Sequence, residues 1–237
     1  MQTTLQDKVI IALDFESAEK SFHFLNQLKG EIKWVKVGLE LFIAEGAPFI
    51  RRLSDAGYNI FLDLKLHDIP KTVERSLLAL AKLPIQFTTV HMSCGEEFFK
   101  SIHSLSLPYK ILGVTALTSL SDQEVSEIYG NNMSAHALVQ KFLSMAAPYN
   151  YPSGCICSGH EVTLAKSTMS KRSSPFTIIC PGVRFSTANS HDQARVTHPF
   201  TTLRQGADFV VIGRELTLST DPLNTWSEWK KAYAEFR

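Results

Sequence analysis

The sequence predicts an α/β fold: a closed, parallel (β/α)8 TIM barrel, formed as a single domain over residues 1–237. Three observations lead there. Short β-prone runs alternate with helical patterns from end to end, at intervals of roughly 20 to 40 residues, which is the rhythm of βα units. No Gly-x-Gly-x-x-Gly fingerprint follows the first run, as it would in a dinucleotide-binding open sheet. The unusual polar residues, Asp14, Lys36, Asp63, Lys65, Thr118, Arg184 and the Gly213-Arg214 pair, follow the C-terminal ends of predicted strands. That is the face on which barrel enzymes keep their active sites. Alternation alone would suit a doubly wound sheet equally well; the placement of the polar residues decides for the barrel.

Composition narrows the class. With 44% hydrophobic residues, 24 basic and 23 acidic, the chain can bury a substantial core and carries a formal charge of only +1. That balance offers no electrostatic case for nucleic acid or an acidic membrane surface. No apolar run reaches the ~18 residues of a membrane-spanning helix, and no signal peptide precedes Asp7. The four cysteines lack zinc spacing: Cys155 and Cys157 alternate on one strand, while Cys94 and Cys180 sit alone near strand ends. Cytosolic thiols are the expectation.

Taken in order, the first predicted strand covers 9–13 and ends at Asp14, ahead of a helix over 18–28. Asp14 could accept from a ribose hydroxyl or cap that helix; the sequence leaves both open. The second strand, 34–37, belongs to the strand-like run from Ile32 to Val37 and carries Lys36, with a helix at 48–56 behind it. The third, 59–62, delivers Asp63-Leu64-Lys65-Leu66-His67-Asp68-Ile69-Pro70 before a helix over 72–82. Period-2 alternation places Asp63 and Lys65 on one face, about 7 Å apart. Lysine and aspartate are rarely buried unless paired, so aiming this many charges at one region points to chemistry. His67, flanked by Leu66 and Ile69, reads as a local packing or hydrogen-bonding residue.

The fourth strand, 87–91, ends at His91 and precedes a helix over 96–105. The fifth, 111–116, leads into Leu117-Thr118-Ser119, whose hydroxyls suit a heterocycle edge or a helix cap. A helix over 135–149, a strand over 154–157 and a helix over 161–166 follow. Strand seven, 177–180, opens a long polar loop holding Pro181-Gly182-Val183-Arg184 and His191-Asp192-Gln193-Ala194-Arg195; long loops in compact domains are often binding loops. Its helix, 200–205, is the weakest of the set. Strand eight, 209–212, ends in Gly213-Arg214, a close-approach residue beside a forked cation suited to phosphate. A helix over 223–236 closes the chain.

The run over residues 63–72 resembles the signature of orotidine 5'-phosphate decarboxylases, bacterial type. Pro181-Gly182-x-Arg184, Asp192-Gln193-x-Arg195, Leu117-Thr118-Ser119 and Gly213-Arg214 match further motifs in order. The resemblance implies a pyrimidine nucleotide as substrate and a reaction without metal or cofactor. It makes Lys65, Asp63, Lys36 and Asp68 the catalytic array. It assigns Asp14, Lys36, Asp63, Thr72, Thr118, Ser119, Arg184, Gln193, Gly213 and Arg214 to substrate binding. It also implies a homodimer with shared sites, Asp68 and Thr72 reaching into the neighbouring subunit, and a cytoplasmic enzyme of pyrimidine synthesis. No pyridoxal- or flavin-binding motif is evident, so protein groups must carry the chemistry. The rival is a magnesium-dependent sugar-phosphate lyase of the same barrel superfamily, which also uses Asp-x-Lys-x-x-Asp. Three departures stand out: Phe185 where the family commonly has Pro, Cys180 where Thr is usual, and Met92-Ser93-Cys94-Gly95 after strand four.

Overall fold

The computed structural model describes residues 3–130, 132–149, 151–185 and 195–236. Eight parallel strands close into a barrel in chain order: β1 (Val9–Ala12), β2 (Trp34–Val37), β3 (Asn59–Leu66), β4 (Phe87–His91), β5 (Lys110–Val114), β6 (Gly154–Ile156), β7 (Thr177–Cys180) and β8 (Phe209–Ile212). Pairing of Ile10 with Val211 joins β1 to β8 and leaves no edge.

The helices around them are α1 (Ala18–Gln27), α2 (Leu39–Asp55), α3 (Pro70–Leu80), α4 (Glu96–Ile102), α5 (Asp122–Tyr129), α6 (Ala135–Ala146), α7 (Val162–Met169), α8 (Pro199–Gln205), α9 (Arg214–Thr217) and α10 (Pro222–Phe236). Two differences from expectation have local causes. The expected helix at 48–56 is the second half of α2, which breaks where Gly46 takes φ 65° and resumes at Pro48. The unforeseen α5 starts at a capping box, Ser121 accepting from Glu124 N–H while Glu124 reaches back to Ser121. That Ser-x-x-Glu signal was present in the sequence. None of the helices among the described residues is long and apolar enough to cross a membrane.

Two apolar layers position the site. The larger fills the space between strands and helices. The smaller plugs the barrel's interior, where Ile10, Phe61, Phe87, Leu112, Ile179 and Val211 are buried together with Trp34 and Phe209 packed against them. Trp34, Phe87 and Phe209 all lie at the N-terminal ends of their strands; Trp34 stacks on Phe87 at 5.1 Å, and Phe209 lies edge-on to Phe87 at 5.7 Å. This aromatic floor closes the lower barrel, so a cavity can open only at the C-terminal end. Phe87→Ala is expected to destabilise the fold by about 3–5 kcal/mol, read as a lowered midpoint in urea unfolding at unchanged slope.

All four cysteines are free thiols. Cys180, expected to stand alone, instead lies against Cys157, which also contacts Cys155, all three buried between barrel and helices. Their strands are neighbours in the barrel, a pairing that sequence distance conceals.

Candidate active site

A cavity of about 290 Å3 opens at the C-terminal ends of the strands. Asp14, Lys36, Asp63, Lys65, Thr118, Ser119, Arg184, Gly213 and Arg214 all line it, above a base that includes Ala12, Phe61, Ile156 and Val211. Residues scattered over two hundred positions thus meet because each lies in the C-terminal half of a strand of one closed sheet or just beyond it. Asp63 and Lys65, expected at or past the end of the third strand, lie within β3, which runs on to Leu66.

The charged end of the cavity is built on β3. Lys65 Nζ lies 2.7 Å from Asp63 Oδ2, and Lys36 Nζ lies 3.9 Å from the same oxygen and 3.4 Å from Asp14 Oδ1. Asp63 keeps only 8% of its surface exposed. Burial pushes its carboxyl pKa up, but the charges of Lys36 and Lys65 and hydrogen bonds from Lys65 and Thr89 outweigh this and hold it below its ordinary value. Asp63 therefore remains an anion at neutral pH.

Simple alternation does not produce this geometry. Between the pairs Leu62↔Thr88 and Leu66↔Val90, four residues of advance on β3 match two on β4, so β3 bulges. Lys65 takes φ 49°, a left-handed conformation that costs a non-glycine residue roughly 1–2 kcal/mol. Thr89 secures it: its Oγ1 accepts from Lys65 N–H at 2.8 Å and donates to Asp63 Oδ1 at 2.8 Å. One buried hydroxyl thereby fixes both the backbone of the lysine and the carboxylate beside it. Sequence reasoning missed Thr89, which looks like an ordinary strand residue until β4 is placed beside the bulge.

Several open choices resolve. Asp14 turns to Lys36, and Ser17 caps α1 instead by accepting from Lys20 N–H at 3.3 Å. Thr118 and Ser119 face the cavity, and the cap of α5 falls to Ser121. A Cβ on Gly213 would lie 3.3 Å from Asp14 Oδ2, so glycine there lets β8 approach β1 closely. His67 is exposed, its Nε2 3.2 Å from Ser93 Oγ and its ring 4.8 Å from that of His91. Burial, and then repulsion from neighbouring groups including Lys65, pushes the His91 pKa below its ordinary value.

Asp68 and Thr72 do not line the cavity. Both are exposed at the start of α3, where Asp68 Oδ1 accepts from Ile69 N–H at 2.6 Å. Gln193 lies outside the described residues. The departures at 185 and 92 are accommodated by packing. Phe185 stacks on Trp229 of α10 at 4.3 Å and meets Phe200 edge-on, so it ties the end of the Pro181–Arg184 segment to two helices. Met92 is fully buried against Gly113, where a Cβ would fall 2.7 Å from its Cγ.

Fold and cavity define a (β/α)8-barrel whose polar residues gather at the C-terminal strand ends, and the proteins it resembles are carboxy-lyases. The family model described as "Orotidine 5'-phosphate decarboxylase / HUMPS family" matches residues 7–229. The orotidine 5'-phosphate decarboxylase of Streptococcus suis (strain 05ZYH33) is 38% identical over 232 residues, covering 95% of this chain and 99% of that one. The orotidine 5'-phosphate decarboxylase of Streptococcus pyogenes serotype M3 (strain ATCC BAA-595 / MGAS315) is 36% identical over 233 residues, covering 97% and 99%. The crystal structure of orotidine 5'-phosphate decarboxylase from Lactobacillus acidophilus superposes with a TM-score of 0.78 at 34% identity, covering 96% and 99%. The chain belongs to the orotidine 5'-phosphate decarboxylase / HUMPS family.

Proposed function

We propose that this protein decarboxylates orotidine 5'-phosphate to uridine 5'-phosphate in pyrimidine synthesis, using its own side chains and neither metal nor organic cofactor. The observation that carries the reading is the Lys36–Asp63–Lys65 array at one end of a cavity whose other end offers Arg184, Gly213 and Arg214. Loss of CO2 from C6 of the pyrimidine leaves an electron pair in an sp2 orbital in the ring plane. The ring's carbonyls cannot delocalise that pair, so a cation must lie beside it. The Lys65 ammonium stabilises the developing charge and then donates its proton to carbon. Asp63 aims Lys65 and faces the departing carboxylate. Thr118 and Ser119 address the base, Asp14 and Lys36 the ribose, and Arg184, Gly213, Arg214 and Gln193 the phosphate. Phosphate binding lies far from C6, so it supplies the affinity that anchors the nucleotide with its reacting carbon beside the already assembled array.

The same reading makes the enzyme a cytoplasmic homodimer, with Asp68 and Thr72 completing the partner's site. Their exposure outside their own cavity supports this, as does apolar surface on the neighbouring elements: Ile69 is 68% exposed and Ile43 78%. Four free thiols suit a reducing compartment.

The magnesium-dependent sugar-phosphate reading fits the donor set less well. Both Asp63 oxygens are engaged, by Thr89 and Lys65, and two ammonium groups within 4 Å oppose a divalent cation there. The test is the fall in orotidine 5'-phosphate absorbance with and without EDTA. Chelator-insensitive formation of uridine 5'-phosphate is expected; turnover that EDTA abolishes would favour the rival.

Thr89→Val checks the role of the bulge. Removing the hydroxyl frees the Lys65 backbone and one Asp63 oxygen, and turnover should fall by roughly 10²-fold. The Asp63 pKa should rise toward its ordinary value, because a hydrogen bond that favours the anion is gone. The acid limb of the pH–rate profile would then move upward; an unmoved limb with full activity would rule this role out.

A further inference from the structure

A buried charge pair lies behind the cavity and takes no part in the chemistry proposed above. Glu161 ends the single 3-10 turn Gly159–Glu161 that follows β6, and is fully buried. Its carboxylate meets the guanidinium of Arg195, itself largely covered. Ion pairs of this kind gain little over a well-packed apolar pair, because both partners must be stripped of water. Stability alone is a weak reason to place one here.

Its location supplies a stronger reason. From Arg195 the chain runs alongside the segment that leaves β7. Val183 and Thr197 form a parallel bridge, and Arg184 N–H donates to Thr197 O at 3.0 Å. Ser158 Oγ donates to Arg195 O at 3.3 Å. Thr197 Oγ1 lies 3.0 Å from Thr202 Oγ1 on α8. A Cβ on Gly159 would fall 2.2 Å from Thr197 Oγ1 and 2.6 Å from Thr202 Oγ1, so the turn and the returning segment touch with no room between them. On the far side, Phe185 N–H donates to Glu215 Oε2 at 2.9 Å, next in sequence to Arg214. The backbone carrying Arg184 is thus gripped from both sides, and the Glu161–Arg195 pair anchors one of the two grips.

We propose that the Glu161–Arg195 pair is a positioning device for the phosphate end of the site. It fixes residues 195–198 against the turn after β6, and through the Thr197 pairing it sets where Gly182 and Arg184 stand. An ion pair suits this task because opposite charges attract strongly where water is excluded, and here it joins Arg195 Nη2 to Glu161 Oε1. The pair acts through other residues and touches no reacting atom, so it governs nucleotide affinity and leaves the step at Lys65 alone. The inference rests on the decarboxylase reading, in which Arg184 and Arg214 hold the substrate phosphate.

The test compares Glu161→Gln and the double variant Glu161→Gln/Arg195→Met with the unaltered enzyme, on orotidine 5'-phosphate and on phosphate-free orotidine. Glu161→Gln should raise KM for the nucleotide at least about tenfold with kcat changed less than about threefold, the signature of lost ground-state binding. Its kcat/KM for phosphate-free orotidine should match that of the unaltered enzyme. A merely structural role would depress both substrates together, and that result, or an unchanged nucleotide KM, overturns the proposal. Should Glu161→Gln fail to fold with its arginine left unpaired, the double variant, which buries no lone charge, decides on the same two readouts. An unaltered enzyme inactive on the nucleotide would overturn the decarboxylase reading and this inference with it. An active enzyme whose variants lose equally on both substrates would overturn the inference alone.

Discussion

Replacing Lys65 by alanine is expected to abolish measurable turnover while uridine 5'-phosphate still binds. Two contributions are lost at once. A positioned proton donor is worth about 10²–10⁴-fold, and a preorganised charge beside the developing carbanion about 10²–10³-fold. A combined loss of roughly 10⁵-fold or more follows where both act on the same rate-limiting barrier. The fold should tolerate the change, because Lys65 is partly exposed and sits in a strained left-handed conformation that a shorter side chain does not worsen. Asp63 would retain Lys36 and Thr89 as partners. Calorimetric titration with uridine 5'-phosphate beside the turnover assay checks both halves. Substantial turnover by Lys65→Ala would remove the proposed mechanism, and loss of folding would mean that the lysine holds the bulge together.

Asp68→Ala is expected to be nearly as damaging, for a reason that lies outside its own barrel. Asp68 is exposed and lines no part of its own cavity, its Oδ1 accepting locally from Ile69 N–H. In a shared-site dimer its loss disables the neighbouring subunit. Mixing inactive Asp68→Ala protein with inactive Lys65→Ala protein should then restore activity. In a mixed dimer one of the two sites combines an intact Lys65 from one subunit with an intact Asp68 from the other. About a quarter of wild-type activity is expected at random exchange, since half the dimers are mixed and each has one complete site of two. Failure to recover any activity after exchange verified by native mass spectrometry would sink the shared site and leave Asp68 acting within its own subunit.

Thr89 and Lys65 show how far the sequence could be read and where reading stopped. Strand positions were legible because burial on both faces writes continuous apolar runs such as Ile60-Phe61-Leu62 and Ile178-Ile179. The order of functional residues was legible because each follows such a run. The bulge in β3 was not: nothing in Asp63-Leu64-Lys65 signals extra residues, and only the register with β4 reveals them. Alternation reached the right conclusion, one face for both charges, through a regular pleat that the chain does not have. Glu161 and Arg195 were equally opaque, since 34 positions separate two residues whose only link is burial in the same gap. Phe185 looked like a departure from pattern until Trp229, far along the chain, was seen stacked beneath it.

The sequence by itself determined the barrel and which residues reach its open end, because period and strand-end position are properties of neighbours along the chain. Tertiary structure decided how those residues are held: the bulge that Thr89 braces, the carboxylate kept ionised between two lysines, and the buried pair behind Arg184. Each depends on which strand lies beside which and in what register. Only the closing of the sheet sets that, because burial makes contacts between distant residues whose energies no local pattern contains.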